Sequence, residues 1–171
     1  PARLRPPGPA PARRRPGGTA VTTPGQVRVR VAGVYVRGDE ILLVNHVKDG
    51  RSYWLLPGGG LEFGESLAAG LERELREEAG LETKTGKVLL IAESLPPDRH
   101  RHVLNLVFQG QVLSGEAHLN EVSDRLKGVA WVKKADVPGL TFFPDFKTAM
   151  LRHWDAGFTL PAESLGDLWA D

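Results

Sequence analysis

A run of glycines followed by a strongly patterned segment constrains this chain more than any other feature. Pro57 precedes three consecutive glycines at 58–60, and such a run predicts a loop because glycine leaves the backbone free to turn. Ser66 is a suitable N-cap, apolar residues recur at helical spacing over 67–79, and Gly80 ends the pattern. The sequence therefore predicts a glycine loop that leads into one amphipathic helix.

Two glutamates of this helix fall where an amphipathic helix should be apolar. With Leu71 at zero, Glu74 lies at about −60° and Glu78 at about −20°, against an apolar arc from about −40° to +80°. The residues that project to the opposite, solvent side are Glu72, Arg73 and Arg76. A buried carboxylate must be protonated, paired or bound to a cation, since an unpaired buried charge is costly. Hard oxygen ligands favour Mg²⁺ or Mn²⁺, and the chain has no cysteine for a softer site.

Nine residues of this segment occupy the fixed positions of the pattern G-x5-E-x7-R-E-U-x-E-E-x-G-U, where U is aliphatic. They are Gly59, Glu65, Arg73, Glu74, Leu75, Glu77, Glu78, Gly80 and Leu81. On these residues the chain resembles the Nudix hydrolases. The resemblance implies an α/β fold, a Nudix-type α/β/α sandwich in which a mixed sheet is flanked by helices.

The resemblance also implies a function. Nudix hydrolases use a divalent metal to cut a pyrophosphate bond in a nucleoside diphosphate linked to another moiety. The substrate classes expected from it are ADP-ribose, a nucleotide sugar or a nucleoside triphosphate. The alternative is a non-catalytic Nudix-fold protein that senses a nucleotide metabolite, although such proteins typically lack motif acids that are present here.

The residues that the resemblance assigns to the metal are Glu74 and Glu78, helped by Glu77 and the carbonyl of Gly58. Arg73 then resembles the residue that orients a glutamate of the metal site. A metal that neutralises phosphate charge and activates water makes substitution at phosphorus a matter of positioning and electrostatics. We therefore expect a Mg²⁺- or Mn²⁺-dependent pyrophosphohydrolase.

The sequence leaves several candidates for the general base. In several branches of the family a glutamate in the loop before a late strand supports that role. Glu121 is favoured here over Glu116 and Asp124 because it lies nearest the middle of the loop. In other branches the first glutamate of the motif helix serves, which is Glu74 here. The resemblance leaves Glu65 as a structural link between loop and helix.

Three further residues are candidates for substrate binding. Tyr53 precedes the glycine loop, where an aromatic ring could stack on a nucleobase. Arg99 and Arg101 are reasonable phosphate contacts if their strand edge lines the pocket.

The chain is predicted to form one domain at 27–171 after a tail at 1–26. The tail is rich in Pro, Gly, Ala and Arg and has no acidic residue, so we expect it to be disordered. The net charge is +1 and the tail holds five arginines, so the remainder carries about −4, an ordinary balance for a soluble enzyme. A cytoplasmic protein without a membrane or nucleic-acid partner is expected, and the resemblance suggests a homodimer.

Apolar patterning predicts the other elements. Strands are expected at 27–35, 41–44, 53–56, 87–94, 103–112 and 128–133, and a final helix at 146–155. In the first strand Arg28 and Arg30 alternate with valines. Residues after Gly157, including Leu165 and Trp169, could cap the core or reach a partner.

Overall fold

The computed structural model describes residues 25–120 and 125–169. The predicted tail at 1–26 lies almost entirely outside these residues, and so do Glu121 and Asp124. The described chain contains nine strands, two α-helices and a 3₁₀ helix at Lys134–Gly139. The strands are β1 (Val27–Val34), β2 (Val36–Arg37), β3 (Glu40–Lys48), β4 (Arg51–Leu55), β5 (Gly58–Gly60), β6 (Glu82–Ser94), β7 (His102–Ser114), β8 (Leu126–Lys133) and β9 (Glu163–Asp167). The helices are α1 (Leu67–Ala79) and α2 (Lys147–Asp155).

The strands form two sheets. The larger is mixed and runs in the order β5-β1-β7-β6-β9, with β1 parallel to β7 and β6 parallel to β9. The smaller is antiparallel, with β3 paired to β2, β4 and β8. The predicted mixed sheet with helices is confirmed.

The helices cover opposite faces because β1 alternates between two cores. Val31 packs with Leu71 and Leu75 of α1, whereas Ala32 and Val34 belong to the core that contains residues of α2. Leu71 and Leu75 are fully buried, and each contributes about 1.5–3 kcal/mol relative to an exposed side chain.

The helix predicted from the sequence has the expected ends. The Ser66 hydroxyl accepts a hydrogen bond from the Ala69 N–H at 3.2 Å, and Gly80 adopts the left-handed conformation at φ 67°. The final helix is also confirmed, at Lys147–Asp155.

Four elements were not predicted: the strands β2, β5 and β9 and the 3₁₀ helix at Lys134–Gly139. The glycine run forms the short strand β5 rather than a loop, and β9 extends the large sheet by pairing with β6. Leu165 and Leu168 pack against the α2 core, so the end of the described chain caps that core. Among the described residues no helix is long and apolar enough to span a membrane.

Candidate active site

The glycines of β5 let backbone and carboxylate approach where a side chain would clash. Gly58 pairs with Ala32, and Gly59 pairs with Val31 of β1. A Cβ on Gly58 would lie 2.2 Å from the Val31 carbonyl oxygen, and its φ of 131° is unfavourable for other residues. A Cβ on Gly59 would lie 2.3 Å from Glu74 Oε2. The three-glycine run therefore fits β5 between β1 and the acidic side chains of α1.

Glu74 and Glu78 both lie against the backbone of β5. The Gly58 N–H donates to Glu78 Oε2 at 2.9 Å, and the carboxylate of Glu74 packs on Gly59. The Glu74 side chain is 16% exposed. Burial raises the pKa of Glu74, and the charge of Arg73 opposes that rise. The two glutamates that the helical projection placed in the apolar arc thus meet at one strand.

Arg73 does not point to solvent as the projection predicted; its side chain is 23% exposed and binds the acidic cluster. It donates to Glu65 at 2.8 Å, to Glu74 at 3.0 Å and to Glu77 at 3.2 Å. A further bond to the Gly60 carbonyl at 3.1 Å ties α1 to β5. The side chain of a helical residue points back towards the N-terminus, which carries a long arginine onto the preceding loop. Glu65 also accepts the Glu62 N–H at 2.7 Å, which fits its expected structural place.

The donor set suits a hard divalent cation. Arg73 is hydrogen-bonded to three carboxylates, which leaves two negative charges that it cannot balance. Carboxylate oxygens are the ligands that Mg²⁺ prefers. In the described residues no three acidic or histidine side chains already converge on one metal position. The Gly58 carbonyl, expected as a ligand, accepts a hydrogen bond from Arg30 at 3.0 Å.

Two arginines of β1 lie near this cluster, on the other side of β5. Arg30 donates to the carbonyls of Leu56 and Gly58 at 2.8 and 3.0 Å, and its Nη1 is buried without a partner among the described residues. Burial lowers the pKa of Arg30, while the charges of Glu78 and Glu74 raise it. The Arg28 guanidinium lies beside Gly60, where an added Cβ would be 2.8 Å from Nη2. Positive charge therefore adjoins the acidic side chains along β5.

Tyr53, predicted to bind substrate, lies next to this positive region. Its ring packs edge-on against His46 and Phe143, with centroids 5.8 and 5.6 Å apart. Burial and the charges of Arg30 and Arg125 lower the pKa of His46 to about 4, so its imidazole is neutral at physiological pH. His46 Nε2 is buried and has no hydrogen-bond partner within the described part of the chain.

The two arginines predicted at the β6–β7 connection differ in position. Arg99 is exposed, with φ 53° in a turn closed by its N–H to the Pro96 carbonyl at 2.8 Å. Arg101 lies over the indole of Trp169, with 4.8 Å from Cζ to the ring centroid. Burial lowers the pKa of Arg28, and the charge of Arg101 lowers it further. The Nε of Arg101 is another buried donor without a partner in residues 25–120 and 125–169. Arg101 thus adjoins the site, whereas Arg99 lies in the exposed turn beside it.

The loop that contains the candidate bases is attached to the end of α1. The N–H groups of His118 and Asn120 donate to the carbonyls of Ala79 and Glu78, each at 3.2 Å. The Asn120 side chain donates to the Arg76 carbonyl at 3.0 Å. Glu116 precedes this attachment and is exposed, while Glu121 follows it outside the described residues.

Sequence reasoning missed Arg28, Arg30 and His46. A signal was present for the arginines, because they share a strand face with Ala32 and Val34, which are buried. Two charges that continue a buried face need partners, and Arg30 finds them in the carbonyls of Leu56 and Gly58. His46 carried no such signal.

Comparison with known proteins gives a consistent result. A family model described as NUDIX domain matches residues 26–154. An ADP-ribose pyrophosphatase of Methanocaldococcus jannaschii is 30% identical over 115 residues, 67% of this chain and 66% of the relative. The human 8-oxo-dGDP phosphatase NUDT18 is 37% identical over 81 residues, 43% of this chain but only 25% of that protein. The match thus spans about two thirds of the archaeal protein and a quarter of the human one.

Solved structures share the fold. A NUDIX hydrolase from Nitrosomonas europaea superposes with a TM-score of 0.68 at 23% identity, covering 80% of this chain and 93% of that one.

Proposed function

Since this chain belongs to the NUDIX domain family, we propose that it hydrolyses a pyrophosphate bond in a nucleoside diphosphate linked to another moiety, with a divalent cation. The relative from Methanocaldococcus jannaschii, named an ADP-ribose pyrophosphatase, supports ADP-ribose as the first substrate to test. Nucleotide sugars and nucleoside triphosphates are the other members of the proposed class.

One observation carries the proposal: an acidic cluster beside a positive region with unpaired donors. Glu74 and Glu78 lie on one side of β5, and Arg28 and Arg30 adjoin it. Buried nitrogens of Arg30 and Arg101 have no partner among the described residues, and leaving such donors unpaired costs about 1–3 kcal/mol each. A pyrophosphate would supply acceptors for these donors, and the carboxylates would hold a cation that neutralises its charge.

The residues take different tasks in this proposal. Glu74 and Glu78 would hold the cation, with Glu77 and the Gly58 carbonyl as further donors. The bound cation would supply charge neutralisation at the phosphates and lower the pKa of a water molecule. Arg73 holds Glu74 in place, because it binds Glu74 and the Gly60 carbonyl at once.

The general base, a carboxylate that accepts the proton from water, is proposed to belong to the loop after Asn120. Glu121 is the first choice, and the backbone bonds of His118 and Asn120 fix the start of its loop at the end of α1. Glu74 is the alternative, since burial raises its pKa towards the range in which a carboxylate can accept a proton. Arg30, Arg101 and Tyr53 are proposed to contact the substrate, with Arg99 at the rim. A homodimer and a cytoplasmic location stay expectations.

The test is turnover of ADP-ribose, a nucleotide sugar and a nucleoside triphosphate by the full chain, with Mg²⁺ or with EDTA. Glu78→Gln should lower turnover at least about 100-fold, because loss of a group that merely supports a metal ligand already costs 10–100-fold. Glu72→Gln is the matched control on the same helix, since Glu72 accepts the Thr85 N–H outside the cluster. Metal-independent turnover, or equal loss in both variants, would contradict the proposal. Tight nucleotide binding without turnover would support the sensor alternative.

A further inference from the structure

The Arg101–Trp169 pair is a feature of this chain that the hydrolytic chemistry does not require. Trp169 follows β9 and lies beyond residues 26–154, which the family model matches. Arg101 precedes β7 at the same end of the large sheet, because β7 starts where β6 and its parallel neighbour β9 end. The guanidinium carbon of Arg101 lies 4.8 Å from the indole centroid, and the His100 ring meets the indole edge-on at 6.2 Å.

Trp169 is held in place by backbone bonds rather than by core packing alone. Asp167 Oδ1 accepts the N–H groups of Trp169 and Leu95, both at 3.0 Å. The Leu168 N–H donates to the Glu93 carbonyl at 2.9 Å, which continues the pairing of β9 with β6. The indole itself is only partly buried. A ring that is anchored but not enclosed can stack on a further planar group.

The pair adjoins the proposed phosphate region. Arg28 lies beside Gly60, and it pairs in register with Val103 of β7, two residues beyond Arg101. Gly60 pairs with Arg30, and Arg30 pairs with Asn105, so Gly60 lies two strand spacings across the sheet and three residues along it from the start of β7, roughly 14 Å in all. In a nucleoside diphosphate the ribose separates the base from the phosphates, and a distance of this size leaves room for it.

We infer that Arg101 and Trp169 form the platform on which the nucleobase of the substrate stacks. The inference rests on the proposed function, and it names the nucleoside part as the portion of the substrate that this chain recognises through its C-terminal strand. Arginine and tryptophan both stack on bases, because every base presents a π face. The unpaired Nε of Arg101 is a donor for a nucleotide acceptor.

The test measures equilibrium binding, so it does not depend on turnover. ADP and inorganic pyrophosphate are titrated calorimetrically into the full chain in EDTA. Trp169→Ala should raise the Kd of ADP about tenfold, because base–aromatic stacking is worth about 1–3 kcal/mol per base. The Kd of pyrophosphate should not change. Trp169→Phe keeps a ring and should stay within about threefold of the unsubstituted protein.

The chain offers a matched control in a second arginine–tryptophan pair. Arg37 lies 4.3 Å over Trp131 at the turn between β2 and β3. Arg101→Ala should weaken ADP binding and Arg37→Ala should not. Unchanged ADP affinity in Trp169→Ala and Arg101→Ala would overturn the inference, as would an equal loss of affinity for ADP and pyrophosphate in Trp169→Ala. A loss of ADP affinity confined to Tyr53→Ala would place the base at Tyr53 instead and also overturn the inference.

Failure of the proposed function gives a different result. If the chain binds ADP through Trp169 but hydrolyses nothing, the platform stands and the hydrolytic proposal fails. If turnover is normal and Trp169→Ala changes neither turnover nor ADP binding, only the inference about the stacking platform fails. If the chain neither binds ADP nor hydrolyses any substrate, both fail.

Discussion

Replacing Gly59 with alanine should disable the site while leaving the fold intact. The added Cβ would lie 2.3, 2.4 and 2.5 Å from Oε2, Cδ and Oε1 of Glu74. The carboxylate must therefore retreat by about 1 Å to restore the 3.4 Å of ordinary contact. Gly59 has no positive φ, so the backbone itself tolerates alanine.

The expected losses differ in size. A displacement of about 1 Å at a reacting centre can lower turnover about 100-fold. The stability cost should be only about 1 kcal/mol, because the clash is with the end of a side chain that can move. For a chain of this length that corresponds to a fall in Tm of about 2–4 °C. Both quantities can be read from the Mg²⁺-dependent turnover of ADP-ribose and from thermal unfolding.

Two comparisons isolate the mechanism. Gly139→Ala adds the same methyl group where nothing lies within 4 Å, and it should leave turnover unchanged. If Gly59 acts only through Glu74, then Gly59→Ala should cost nothing further in a Glu74→Ala background. Near-normal turnover of Gly59→Ala, or full additivity in the double variant, would refute the argument.

Three further predictions concern other parts of the fold. Arg73→Lys keeps the charge but loses the planar guanidinium that binds three carboxylates and a carbonyl. The kcat should therefore fall about 10–100-fold with little change in KM. An unchanged kcat would show that Arg73 does not position the acidic side chains. Burial and two neighbouring arginines lower the pKa of His46 from 6.5 to about 4, so the folded state binds fewer protons than the unfolded chain between pH 4 and pH 6.5. The free energy of unfolding should therefore be highest above pH 6.5 and should fall by about 1–2 kcal/mol as the pH drops towards 4, allowing for the partial exposure of the ring. Urea unfolding of His46→Gln should lack this fall in stability. Gly110→Ala would place a Cβ 2.1 Å from the ring of Tyr35 and should destabilise the fold by about 1–3 kcal/mol. Tyr35→Phe should cost about 1 kcal/mol, because it loses the hydrogen bond to Thr83. Denaturant midpoints that rank the two variants in the reverse order would contradict this packing.

The parts of the fold that follow from local pattern were predictable. The helix at 67–79 combined an N-cap, apolar spacing and a terminal glycine, and all three signals agree with the structure. The strand β5 was not predictable in the same way, because three glycines have no side chains and hence no alternation. Its pairing depends on the approach of β1, which is a tertiary contact.

The part of the candidate site that lies on one face of α1 was predictable from the sequence. Glu74 and Glu78 were located by their angles alone, and they meet the same strand. Arg73 was misplaced because an angular projection gives the direction of Cβ and ignores the length of the side chain. Arg30 and Trp169 could not be placed, since their positions depend on strand order and on the pairing of β9 with β6.

The attachment of the loop at His118 and Asn120 to the end of α1 has a consequence for how such a protein can diversify. Two of the three bonds come from backbone N–H groups, which are present whatever the side chains are. Substitutions in that loop can therefore change the chemistry that it presents while its starting point stays fixed relative to the acidic helix. The fold separates a part that must remain constant, the helix with its glycine strand, from a neighbouring part that can vary at little structural risk. New substrate contacts can be acquired in the variable part without rebuilding the acidic helix and its glycine strand.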